Sequence, residues 1–361
     1  MAEEDARRDP AVIAALRRIA PGTELRHGID DIIRGRHGAL IVIGEPSELQ
    51  FLFSGGLQLD QSFSSQFLFE LAKMDGAIVL NQNATRIVSA NIHLMPDPAV
   101  PTSETGTRHR TAERVARQTG ALVISISGAR ETVTVYVGPI RYQLDPIAEV
   151  LAKANQAVNT VSTYRRRLEQ TSARLSALEE KGAATLDDVL EVLQRAEMAT
   201  RMGDEIERMV IELGREGRLI DMQLAELLDG VPRDRLNLIR DYEISDVTGG
   251  PHKVIRRLKD VPYRRLLDFD VLADVLGYGA VNPLDRLVKP RGFRALAQIP
   301  RLPDTTVRAV VDRFGSLDEV LVASLRDLEG VDGVTAVQAR DIREGLRRLF
   351  DQNVAERSIG L

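Results

Sequence analysis

The 361-residue chain contains no cysteine and no tryptophan. Without cysteine there can be no disulfide, no thiolate metal site and no cysteine nucleophile. A small secreted scaffold stapled by disulfides is therefore excluded. Long apolar runs are missing as well. Stretches such as Ala39–Ile43 fall far short of the ~20 residues that a membrane-spanning helix needs. The opening residues, MAEEDARRDP, carry charge where a secretory signal has an apolar core. Together these absences predict a soluble, cytoplasmic protein with no membrane partner. Lysine is also scarce: of 48 basic residues, 42 are Arg and six are Lys. Codon bias explains most of such an excess, yet the planar guanidinium is also the side chain best shaped to grip phosphate. The net charge of −5 argues against a uniformly basic nucleic-acid coat.

The length suits two or three domains at roughly 100–200 residues each, and the pattern suggests three. Residues 1–144 mix helix and strand signals. Amphipathic helices are predicted at the start (Val12, Ile13, Leu16, Ile19), over Leu25–Arg34 and over Thr107–Gln118. In Gln61–Met74, apolar Phe63, Phe67, Leu71 and Met74 recur at helical spacing. The apolar run within His37–Gly44 reads as a buried strand, Ala77–Leu80 and Ile87–Ala90 as a strand pair, and Ala121–Ser127 with Thr132–Val137 as a hairpin. An α/β domain follows, a mixed sheet with flanking helices. Residues 145–289 read as an all-α spine. Leu151, Ala154, Val158, Val161, Leu168 and Leu175 form a coiled-coil-like stripe broken by Arg165 and Ser172, and packing within the chain is the favoured use of it. A basic cluster, Lys253, Arg256, Arg257, Lys259, Arg264 and Arg265, lies near the spine's end. Residues 290–361 form a small all-α module with 11 Arg balancing 11 acidic residues.

Two clusters in the first segment carry chemistry. Asp75-Gly76-Ala77 stands at a helix-to-strand junction, where an Asp serves either as a turn residue or as a carboxylate holding a divalent cation beside phosphate. Gly106-Thr107-Arg108-His109-Arg110-Thr111 opens a helix, with Thr107 as the expected N-cap. Two Arg in a first helical turn oppose the macrodipole. An anion bound at the helix end removes that conflict. There is no phosphate-binding Walker loop, no dinucleotide glycine fingerprint, no His pair at metal-ligand spacing and no hydrolase nucleophile elbow.

In the last segment, Ala295–Asp304 leading into Thr306–Phe314 and Leu325–Val334 leading into Thr335–Phe350 each read as helix, tight turn, helix. They resemble tandem helix-hairpin-helix motifs, which hold DNA phosphates through hairpin N–H groups and a helix N-terminus. Gly330, Gly333, Arg340 and Arg343 are the candidate DNA contacts. The second copy departs from the pattern at Asp332, and the first places Pro303 and Asp304 where Gly is expected.

Taken in order, Asp75-Gly76-Ala77, the block Ser103–Arg114 and the tandem hairpins resemble the DisA family, the bacterial diadenylate cyclases with a C-terminal helix-hairpin-helix domain. The resemblance runs over nearly the whole chain. It implies condensation of two ATP into cyclic di-AMP and two pyrophosphates at face-to-face cyclase domains, with Mg2+ or Mn2+ as cofactor. It further implies a homo-octamer, binding of branched or junction DNA that suppresses the cyclase, a DNA-damage checkpoint role and a nucleoid-associated location. Carried over, Asp75 would ligate the metal and Arg108 and Arg110 would neutralise the triphosphate. Gly76, Ala77, Leu94, Thr107, His109, Thr111, Ser127 and Arg130 would complete the ATP site. The alternative is a structural DNA-junction-binding protein with an inactive nucleotide site. A nucleotidyltransferase making another product is a third reading, and only a product assay separates it from the first.

Overall fold

A computed structural model describes residues 9–279 and 284–359, with side chains through Leu349 in the last helix. The chain divides into two compact units, Met1–Ala157 with Glu205–Gln223, and Val158–Asp204 with Leu224–Leu361.

In the first unit the described strands are β1 (Ala39–Ile43), β2 (Phe53–Ser54), β3 (Leu57–Ser62), β4 (Ala77–Leu80), β5 (Arg86–Leu94), β6 (Leu122–Ser127), β7 (Thr132–Val137) and β8 (Ile140–Gln143). They form one sheet in the order β2-β5-β4-β1-β6-β7-β8, and β3 also pairs with β5. β1 and β4 run parallel, while β1–β6, β4–β5 and β6–β7 are antiparallel. Alternate residues of β1 enter two different cores. Ala39, Ile41 and Ile43 face α1 (Pro10–Ile19), α2 (Glu24–Arg34) and α3 (Ser65–Leu71). Leu40 and Val42 face α4 (Thr107–Thr119). Burial on both faces is why this strand is an unbroken apolar run rather than an alternating one.

One expected helix is shorter than its apolar spacing suggests. Gln61 and Ser62 belong to β3, and the helix begins only after Ser64, whose hydroxyl accepts the Phe67 N–H. Phe63 is thus a partly buried residue packed beside the core from outside the helix. β2, β3 and β8 were not anticipated. β3 is almost wholly exposed, and its hydrophobic alternation is limited to Leu57 and Leu59.

The helical region comprises α5 (Ile147–Glu180), α6 (Leu186–Leu213), α7 (Arg218–Leu228), α8 (Val231–Tyr242), α9 (Pro251–Asp260) and α10 (Phe269–Leu276). It continues through α11 (Phe293–Ala297), α12 (Asp304–Phe314), α13 (Leu317–Val322), α14 (Leu325–Glu329) and α15 (Ala336–Ile359). Of these, α6 runs without a break over Leu186–Leu213. Of the apolar stripe on α5, Ala154, Val158, Val161, Leu168 and Leu175 are buried and Leu151 is half-buried, and Leu168 and Leu175 sit in the core shared with α6, α8, α9 and α10. Its polar interruptions make bonds of their own. Arg165 donates to the Asp229 carbonyl at 2.8 Å, and Ser172 Oγ receives Arg294 at 2.9 Å.

Arg294, on α11, is almost fully buried. It pairs with Glu179 of α5 at 2.5 Å, and the Tyr242 hydroxyl of α8 donates to the same carboxylate oxygen at 2.6 Å. Next to it, buried Asp241 accepts the N–H groups of Gly292, Phe293 and Arg294 at 2.7–2.9 Å. One carboxylate thus satisfies the start of α11, which has no cap of its own. Removing one partner of a buried pair strands the other charge. Arg294→Met is expected to cost about 3–5 kcal/mol locally. Native-state hydrogen exchange of the Phe293–Ala297 amides measures this, and unchanged protection would show that the bridge does not hold the joint.

Candidate functional site

The sheet register brings distant residues to one edge. Leu40 pairs with Ala77, and Ala77 with Ile92 on β5. Antiparallel β6 places its last residue, Ser127, at the same end, since Ile126 pairs with Ala39. The start of α4 closes the site. A cavity of about 570 Å3 opens there, within the usual range for small-molecule sites. Its lining includes Gly76, Ala77, Leu94, Thr107, Arg108, His109, Thr111, Ser127 and Arg130. Asp75 and Arg110 do not line it. Asp75 is exposed and immediately precedes Gly76, and Arg110 is exposed on α4.

The backbone explains the glycine in Asp75-Gly76-Ala77. Gly76 has φ +98°, and a β-carbon there would sit 2.8 Å from the Asn91 carbonyl carbon. Only a residue without a side chain can lie so close to β5 in that conformation. At α4 the N-cap is Gly106, and Thr107 is already the first helical residue, which corrects the expected cap. No side chain caps this helix, and its first turn contains no acidic residue. The leading N–H groups therefore have no cap partner and keep their partial positive charge at the cavity. Arg108 folds back over Gly38, where a β-carbon would meet its Nη1 at 2.2 Å.

Three residues outside the predicted set organise the site. Glu104, which lines the cavity, accepts from the Tyr136 hydroxyl at 2.8 Å and from Arg141 Nε at 2.6 Å. Tyr136 Oη also lies 3.1 Å from His109 Nδ1. Burial opposes ionisation of Glu104, but the bonds from Tyr136 and Arg141 outweigh it and hold the carboxyl below its usual range. Burial and the bond to Glu104 push the Tyr136 hydroxyl well above the ordinary phenol value. A second carboxylate, buried Glu113, accepts Thr102 Oγ1 at 2.6 Å, the Ser103 N–H at 3.0 Å and Arg117 at 2.7 Å. It anchors the loop that leads into α4. Tyr136 and Arg141 could have been found only by knowing which strand faces His109, since neither has a local sequence signal.

The second candidate region is the pair of hairpins. Gly330 ends α14 with ordinary right-handed backbone, and Gly333 takes φ +81° in the turn before α15. Exposed Arg340 and Arg343 follow on α15. The Thr335 N–H at the start of α15 is already bound to Gln338 Oε1 at 2.9 Å. In the first hairpin the left-handed position is taken by Arg301, at φ +63°. Asp304, where Gly was expected, is paired with Arg240 of α8 and Arg308 of α12, each at 2.9 Å. Its acid thus serves as an anchor to the spine. In the basic cluster, Arg257 pairs with Asp274 at 2.9 Å and Arg265 with Asp268 at 3.5 Å.

Comparison with known proteins settles the family. Residues 26–139 match the model for the DisA bacterial checkpoint controller nucleotide-binding domain, and residues 144–284 the model for its linker region. The DNA integrity scanning protein DisA of Symbiobacterium thermophilum is 50% identical over 344 residues, covering 95% of this chain and 97% of that one. The protein of the same name from Parafrankia sp. is 47% identical over 96% of this chain and 97% of its own. The one from Carboxydothermus hydrogenoformans is 44% identical over 96% and 98%. The chain belongs to the DisA family. All the residues lining the cavity fall inside the DisA nucleotide-binding domain. Among the described residues, no helix is long and apolar enough to cross a membrane.

The contact between Arg108 and Gly38 yields a direct test. Gly38→Ala is expected to displace the guanidinium and weaken nucleotide binding several-fold, with the thermal midpoint close to that of the parent. Equilibrium titration with ATP reads the affinity. Parent-like affinity would mean that the Arg108 position over Gly38 is irrelevant to binding.

Proposed function

We propose that this chain is a diadenylate cyclase that condenses two ATP into cyclic di-AMP and two pyrophosphates. The observation that carries the reading is the meeting of Gly76, Ala77, Thr107, Arg108, His109, Thr111, Ser127 and Arg130 around one cavity, at an uncapped helix N-terminus. The helix end and the hydroxyls of Thr107 and Thr111 supply donors to phosphate oxygens. Arg108, and Arg110 from the same turn, offset the charge that develops as pyrophosphate leaves. Leu94 supplies backbone beside the adenine, with Ser127 and Arg130 bordering the nucleotide.

In each half-reaction the 3′-hydroxyl of one ATP attacks the α-phosphate of the other. A new oxygen–phosphorus bond forms, the bond to pyrophosphate breaks, and the hydroxyl proton is released. One domain holds one nucleotide, so two domains face each other across a two-fold axis. In the homo-octamer four such pairs would form.

Among the described residues no cluster of three or more acidic or imidazole side chains could hold a metal alone. A single carboxylate, Asp75, still suits Mg2+ or Mn2+, because such an ion takes most of its remaining ligands from substrate phosphates and water. When bound, it supplies charge neutralisation at the phosphates.

The C-terminal hairpins would contact branched DNA through Gly330, Gly333, Arg340 and Arg343, and DNA binding would suppress the cyclase. The protein would act in the cytoplasm, associated with the nucleoid, in DNA-damage signalling. The balanced charge of residues 290–361 implies a shallow salt dependence.

Incubation of the full chain with ATP and Mg2+ or Mn2+ is expected to yield cyclic di-AMP by chromatography and mass spectrometry. Linear dinucleotide only, or unreacted ATP, would refute the assignment. Asp75→Asn should abolish turnover, and Arg108→Ala should lower it about 10²–10³-fold. The double charge reversal Arg340→Glu with Arg343→Glu should weaken branched-DNA binding in gel-shift titrations. Affinity equal to the parent's would remove these two residues from the DNA contact.

A further inference from the structure

The bonds around His109 fix where its ring proton sits. Glu104, ionised, can only accept. Tyr136 therefore commits its single hydroxyl proton to Glu104, 2.8 Å away. The same Tyr136 oxygen lies 3.1 Å from His109 Nδ1 and, with its proton committed, can only accept from the ring. Nδ1 must then carry the hydrogen. In a neutral imidazole this leaves Nε2 with a bare lone pair. The ring borders the cavity, and its hydrogen bond among the described residues is the one to Tyr136.

The groups that face the ring come from four places: Glu104 in the preceding loop, Arg108 on α4, Arg130 after β6 and Arg141 on β8. Burial lowers the His109 pKa most, Glu104 pulls it back up, and the three arginines depress it further. The net direction is downward, so the free protein holds this ring neutral at physiological pH. A neutral ring with its lone pair on Nε2 is the wrong partner for a phosphate oxygen. The other groups around it, the helix end, Arg108, Arg130 and the threonines, all favour an anion.

We propose that nucleotide binding is coupled to proton uptake at His109, with Tyr136 as the positioning residue. Polyphosphate enters, Nε2 gains a proton and becomes a donor to a phosphate oxygen, and Nδ1–H stays on Tyr136. This rests on the nucleotide-site reading. The bound phosphate raises the ring's pKa in the complex. Affinity is then constant below the free-state value, falls as pH rises between the free and bound values, and is flat above both.

The test is calorimetric titration of the full chain with 3′-deoxy-ATP, which lacks the attacking hydroxyl, in excess Mg2+. Running it at one pH in two buffers of different protonation enthalpy counts the protons taken up. The parent is expected to take up as much as about one proton per site near neutral pH. His109→Gln should take up none. Tyr136→Phe should take up less, because losing the acceptor frees the ring to carry its hydrogen on Nε2 and donate without charging. Its affinity should accordingly depend less on pH. A Tyr136 that matters only for packing would shift affinity equally at every pH. Binding without proton uptake, or uptake unchanged in both variants, would overturn the proposal alone. No binding at all would overturn the nucleotide-site reading along with it.

Discussion

The parallel pairing of β1 with β4 is the constraint on which the site depends. It sets Leu40 beside Ala77, so that both strands begin at the same edge. The antiparallel neighbours β5 and β6 must then end there. Gly76, Ile92, Leu94 and Ser127, spread over about fifty positions of sequence, become neighbours as a result. A one-residue slip in any of these pairings would turn the residues to the opposite face. Central β1 and β4 send alternate residues into the two cores.

A second layer of control lies in carboxylates that never need to touch a substrate. Glu113 holds the approach to α4, and Glu104 holds Tyr136 and Arg141. Between them they fix a loop and a helix end rich in positive charge before any anion arrives. Much of the electrostatic cost of assembling Arg108, Arg130 and Arg141 in one region is thus met by the fold. Preorganisation of this kind is what phosphoryl-transfer sites depend on, since positioning and charge do most of the work.

The sequence was informative where one signal dominated. The unbroken apolar run of β1 reads as a doubly buried strand, and the α5 stripe as a packed helix face. It was misleading where two signals competed. Phe63, Phe67 and Leu71 step at helical intervals, but Ser64 caps the helix between the first two and leaves Phe63 outside. β3 carries little pattern because all but Leu59 of its residues are exposed. Among site residues, the motif positions were visible because they are contiguous. Tyr136 and Arg141 were not, because their part depends on which face of β7 and β8 meets His109. Asp304 departs from the hairpin pattern, and the reason, its bond to Arg240, appears only once α8 is placed beside it.

The buried Arg294–Glu179 pair bears on how the C-terminal module can behave as a mechanical part. Composition draws a boundary near residue 290, as though a separable domain began there. The carboxylates of Glu179 and Asp241 instead reach across that line and hold both the side chain and the leading amides of α11. Asp304 ties the next helix to Arg240 in the same way. The connection is closer to a weld than to a swivel. Cutting the chain at the apparent boundary would leave two carboxylates, Glu179 and Asp241, stranded in the spine's interior.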